Sequence, residues 1–171
     1  MTRTTRLLLL AAALVTLASG VALSSASGAS SDSKQFEARF QESNVSVTNR
    51  IADLGIFQLI NTGTGTVDGF GPATMMLAMS QDRSVTPCGP GSWTNAGIRR
   101  IVVAAGVLIL RSKAYVCQTA AGPVATAQWQ VDGDSSTGVF AGARGSGTET
   151  VHIPTAQSTL SGKLKLVGGE T

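Results

Sequence analysis

Charge is scarce in this chain. Only 13% of its 171 residues are Asp, Glu, Lys or Arg, about half the ~25% of an ordinary globular domain. The clustered basic stripe that nucleic acid requires is absent, so no nucleic-acid partner is expected. Arg99-Arg100 and Arg111/Lys113 are the only local basic groups, and they read as a solvated strand face. One histidine and two cysteines lack the ligand count and spacing that zinc needs, so no metal centre is expected. The glycine runs are followed by no G-K-[ST], which removes the phosphate-loop reading, and no cofactor is expected. Ser146 sits in R-G-S-G-T, without the G-x-S-x-G spacing of a nucleophile elbow. His152 stands beside Ile153-Pro154 with no nucleophile near it in sequence, so it reads as an exposed edge residue rather than a general base. Beyond the first thirty residues, long helix-forming runs of Glu, Lys, Leu and Ala are missing too. What remains, 20 glycines and abundant threonine, favours strands and turns.

The first segment has a different character. Arg3 and Arg6 precede an apolar run from Leu7 to Leu14, and small residues follow to Ala29. A charged start, an apolar stretch and a small-residue zone make a secretory signal peptide, here residues 1–29. Ser27-Gly28-Ala29 places cleavage after Ala29, with Ala26 as the alternative. The apolar run is shorter than the ~20 residues that span a bilayer, so no membrane association is expected after removal. The protein is expected to be secreted and extracellular. The 142 residues left carry 11 basic against 10 acidic groups and suffice for one domain with a real core. The expected division is a flexible lead-in over 30–35, a single domain over 36–167 and a tail over 168–171.

In an exported chain, an even count of cysteines makes a disulfide between Cys88 and Cys117 the default, with a metal site the weaker alternative. The pair would pin an irregular segment, Gln81–Asn95, to the far end of a hairpin whose strands run over Gly97–Val103 and Val107–Cys117.

Period-two alternation of apolar residues, the mark of a half-buried strand, recurs along the chain. Phe36 to Gln41 shows it first. Ile56 to Asp68 follows, with Gly63 and Gly65 on the face opposite Thr62, Thr64 and Thr66. Ala73, Met75, Leu77 and Met79 share a face, as do Leu108, Leu110, Ser112, Ala114 and Val116. Ala125, Ala127, Trp129 and Val131 line a further strand, and Leu160, Gly162, Leu164 and Leu166 the last. Eight to ten short strands with turn signals between them predict an all-β, antiparallel, single-domain barrel or sandwich. An immunoglobulin-like sandwich would set a core tryptophan between well-separated cysteines. Trp93 instead follows Cys88 by five residues in a Pro/Gly-rich loop, so a barrel is favoured.

The most distinctive stretch is Asp134–Thr150, within which Thr137-Gly138-Val139-Phe140-Ala141-Gly142-Ala143-Arg144-Gly145 resembles the T-G-x-F-x-x-A-x-G segment of the allene oxide cyclase and dirigent barrel superfamily. In particular it resembles uncharacterised secreted actinobacterial proteins with that barrel. The runs Gly63–Gly71 and Leu160–Leu164, and the placement of the two cysteines, are similar to those proteins as well. The resemblance implies an up-and-down, calycin-like barrel of about eight strands, often oligomeric, with an apolar cavity. Plant members cyclise a fatty-acid epoxide or steer phenoxy-radical coupling by shaping the bound substrate. Ser135-Ser136 stand where the dirigent pattern has two glycines, and no plant catalytic residue is carried over onto this chain.

Met75, Leu77, Met79, Tyr115, Trp129 and Phe140 are the candidate cavity residues, although an eight-stranded bore could equally be filled by them. Glu149 is the candidate lumen carboxylate if it faces inward with Gly145, Gly147 and Val151. The simpler expectation is that it faces solvent and pairs with a neighbouring arginine. The functional expectation is binding of a small apolar or aromatic ligand without chemistry. The alternatives are a cyclase or isomerase that works by confinement, and a cell-surface structural or interaction module.

Overall fold

The computed structural model describes residues 33–168. Residues 1–29, where a signal peptide is expected, residues 30–32 of the expected lead-in and residues 169–171 of the expected tail lie outside them. The fold is all-β. Eight long strands, β1 (Lys34–Ile51), β2 (Ile56–Val67), β3 (Gly71–Asp82), β4 (Trp93–Val103), β5 (Gly106–Thr119), β6 (Gly122–Val131), β8 (Arg144–His152) and β9 (Gln157–Lys165), are joined by a two-residue strand, β7 (Thr137–Gly138). Each long strand pairs antiparallel with the next, and β9 returns to pair with β1 from Lys34↔Leu164 to Gln41↔Gln157. The sheet is thereby closed into an up-and-down barrel with no open edge among its long strands. Lys34 and Gln35 already belong to β1 and pair with Leu164 and Lys163, so the expected lead-in ends earlier than residue 35. The irregular segment shrinks to the ten residues between β3 and β4.

Side-chain alternation decides what enters the lumen. At the end formed by the β2–β3 turn, the β4–β5 turn and the glycine-rich connection, the bore is packed solid. Trp129 and Phe36 meet edge to face with ring centroids 5.3 Å apart, and Phe70 packs on Phe140 at 4.8 Å. Ile101, Val103, Leu108, Leu110 and Leu164 fill the remaining space. The indole of Trp129 fits because β8 and β9 set glycines directly opposite one another, Gly147↔Gly162. A Cβ on Gly147 would lie 2.4 Å from that ring, and one on Gly162 2.6 Å from it. The Trp129 Nε1–H donates to the Thr148 carbonyl at 2.9 Å, so burial leaves that indole N–H satisfied.

The Asp134–Thr150 stretch builds this closed end. Ser136 Oγ donates to the Asp132 carbonyl at 2.7 Å and accepts from the Ile109 amide at 3.0 Å. Ser135 Oγ and its amide both bond the Asp132 carboxylate. The two serines that depart from the glycine pair of the resembled pattern therefore shape the turn. The chain then pairs Thr137-Gly138 with Gly106-Val107 and turns Phe140 into the bore as its plug.

At the opposite end, a disulfide joins Cys88 to Cys117 with Cα atoms 5.6 Å apart. It fastens the β3–β4 loop to the end of β5, and Gln118 Nε2 adds a hydrogen bond to the Gly91 carbonyl at 2.8 Å.

Two stability outcomes follow from this packing. Gly162→Ala is expected to lower unfolding free energy by about 2–3 kcal/mol or more, because its Cβ meets the indole and backbone rather than a yielding side chain; urea denaturation that finds no loss would refute the packing described. The Cys88→Ser/Cys117→Ser double variant, which opens a loop with a sequence separation of 29, is expected to lose about 3 kcal/mol, read by the same titration under non-reducing conditions.

Candidate functional site

Above the aromatic packing the lumen is open. A cavity of about 290 Å³ lies between β1, β2, β3, β4, β5, β6 and β8 and reaches the end of the barrel where the disulfide sits. Its apolar wall is made of Leu59, Leu77, Met79 and Val151, with Gly97, Ala114, Ala125 and Ala127 leaving the room. Its polar side carries Asn61, Gln81, Asn95 and Ser112. Trp93 stands at the mouth, where the Arg83 guanidinium lies 5.1 Å from both the Trp93 and Phe57 ring centroids. Arg50 covers Phe57 at 5.3 Å. Cation–π contacts of this kind tie the β1–β2 hairpin to the β3–β4 loop.

The floor is ionic. Arg99 of β4 is only 1% exposed, and its guanidinium bonds Glu149 of β8, Glu42 of β1 at 3.4 Å and Ser158 Oγ of β9 at 3.5 Å. Glu149 is 4% and Glu42 7% exposed. Asn61 Nδ2 donates to Glu42 Oε2 at 2.8 Å, and the Phe40 ring lies 6.0 Å beneath the guanidinium. Burial raises the pKa of Glu149 above the ordinary carboxylate value, the neighbouring Glu42 charge adds to the rise, and Arg99 partly offsets it. Two carboxylates facing one guanidinium thus form a site able to hold a proton where an ordinary glutamate would have lost it.

No family model matches the chain, and no curated protein does. The site is therefore read from its own residues.

Of the candidate cavity residues, Leu77 and Met79 line the cavity. Met75, Trp129 and Phe140 also face inward, but lie in the packed half beneath it. Tyr115 does not enter the lumen: it is 47% exposed, because the inward positions of β5 are Leu108, Leu110, Ser112, Ala114 and Val116, and Tyr115 falls between them. Glu149 faces inward with Gly145, Gly147 and Val151, against the expectation of a solvent-facing side chain. It does pair with an arginine, but that partner is Arg99, which was expected on a solvated face. His152 is exposed at the strand end. Glu42, Arg99, Asn61 and Trp93 were not among the sequence candidates. For the first two a signal existed: Phe36, Ala38 and Phe40 continue in step to Glu42, and Gly97, Ile101 and Val103 share a parity with Arg99.

The direction of the Glu149 shift fixes a pH dependence. A carboxyl whose pKa is higher in the folded state binds more protons there than when unfolded, so its contribution to stability falls as pH rises from its ordinary value toward the raised one. In Glu149→Gln that part of the slope is expected to vanish. Urea unfolding of both proteins from pH 4 upward measures it, and parallel curves would show that Glu149 titrates normally.

Proposed function

We propose that this protein is a secreted barrel that binds a small, predominantly apolar molecule in the open half of its lumen, without chemistry of its own. The observation that carries this reading is the cavity of about 290 Å³, close to the lower bound of ligand pockets and mostly apolar with a few convergent polar groups. A void of that size is not a packing defect, since protein interiors leave few gaps larger than a water molecule. Export is supported by the character of residues 1–29 and by the Cys88–Cys117 disulfide; no described helix is long and apolar enough to cross a membrane. The resemblance of the Thr137–Gly145 segment to the allene oxide cyclase and dirigent barrels points the same way, toward a lumen that shapes what it holds.

A second reading is favoured by one observation. Glu149 faces the cavity with a raised pKa, as a proton donor in an isomerase or cyclase would. A cell-surface interaction module is less well supported, because such a barrel has no need of an open bore.

Native mass spectrometry of the protein purified from its own culture medium tests the first reading. A co-purifying small molecule is expected in the wild type and is expected to be lost in Ala114→Phe, whose ring would occupy the cavity. An empty wild-type protein would count against binding. Under the second reading the wild type converts the recovered molecule on incubation, and Glu149→Gln binds it unchanged without converting it.

A further inference from the structure

The cavity wall says more about its occupant than size and apolarity. Its charged residues are Glu42, Arg99 and Glu149, two acids to one base. The guanidinium already pairs with both carboxylates through Nη2 and donates to Ser158 through Nη1, so its single charge is balanced by the protein's own acids before any anion arrives. A carboxylate or phosphate brought beside Glu42 and Glu149 would meet like charge in a poorly solvated space, where such repulsion is strong.

Three atoms on the same wall lack a partner among the described residues. Asn61 is 7% exposed. Its Nδ2 is held by Glu42, which turns Oδ1 the other way, buried and unbonded. This orientation is fixed by the network, because the opposite amide rotamer would face oxygen to carboxylate. The second is Nε1 of Trp93 at the mouth and the third is Oδ1 of Asn95, both also buried and unbonded. An indole N–H can only donate. Buried polar groups are nearly always satisfied, so the three describe what the occupant must offer: donors for Asn61 and Asn95 and an acceptor for Trp93.

Resting on the ligand-binding reading above, we propose that the cavity selects uncharged molecules that carry an N–H or O–H donor together with a separate oxygen acceptor, and rejects carboxylates and other anions. The donor seats on Asn61 Oδ1, the acceptor takes the Trp93 N–H, and the apolar body lies against Leu77 and Met79. A primary amine satisfies Asn61 but leaves Trp93 without a partner.

Isothermal titration of the signal-free chain with four probes on one ring system tests this. The probes are 2-naphthamide, which is uncharged with donor and acceptor, the near-isosteric anion 2-naphthoate, the cation 2-naphthylmethylammonium and the apolar 2-methylnaphthalene. Naphthamide is expected to bind at least tenfold more tightly than each of the others. Trp93→Phe, which keeps a ring and removes the donor, is expected to weaken naphthamide about two- to tenfold, one hydrogen bond's worth, and to leave methylnaphthalene unchanged. Naphthoate or the ammonium binding as tightly as naphthamide overturns the proposal, and so does an indifferent Trp93→Phe. If methylnaphthalene binds and naphthamide gains nothing over it, the cavity is a ligand site and only the selectivity fails. If none of the four binds and the native protein carries no molecule, both readings fail together.

Discussion

A guanidinium cannot be taken out of water alone; it must be paired and hydrogen-bonded or the fold does not tolerate it. In this barrel Arg99 meets that condition by reaching across the bore. Counting round the ring from β4, strand β9 is the farthest in either direction, with β1 and β8 on its two sides. These three supply Ser158, Glu42 and Glu149. One side chain thus ties three strands whose backbones never pair with β4. This cross-tie sets a floor at mid-height, with aromatic packing below and the cavity above.

Small residues act in opposite ways on the two sides of that floor. An eight-stranded bore is only just wide enough for side chains. Below, Gly147 and Gly162 make room that the Trp129 indole takes up completely, and the result is a plug. Above, Gly97, Ala114, Ala125 and Ala127 make similar room and no large neighbour fills it. Whether a small residue yields density or a void therefore depends on the partner across the lumen, which no local stretch of sequence contains.

That distinction explains what could be read before the structure. The strands, their faces and the closed end around Phe140 follow from alternation and turn residues, all of them local. Glu149 was legible as a residue in phase with Gly145, Gly147 and Val151, yet charge argued for solvent and outweighed phase. The same preference placed Arg99 outside and passed over Glu42, although both keep step with apolar neighbours on their strands. Each of the three charges is costly inside on its own, and only their meeting makes burial acceptable. Tyr115 failed for the converse reason. Its aromatic ring suggested the lumen, but its position between Ala114 and Val116 forbade it. Where residue type and phase disagree on a barrel strand, phase decided in every one of these cases.

The polar character of the cavity is the last step. For stability alone, a well-packed apolar replacement of a buried ion cluster is often neutral or better, and a filled void always gains contacts. The chain does neither. It keeps the ionic floor, leaves Asn61, Asn95 and Trp93 with unmatched groups above it, and holds the mouth with the Arg83 stack and the disulfide. Local rules that are broken together in one place, while the rest of the barrel obeys them, mark that place as kept for something other than folding. The aromatic end supplies the stability that allows it.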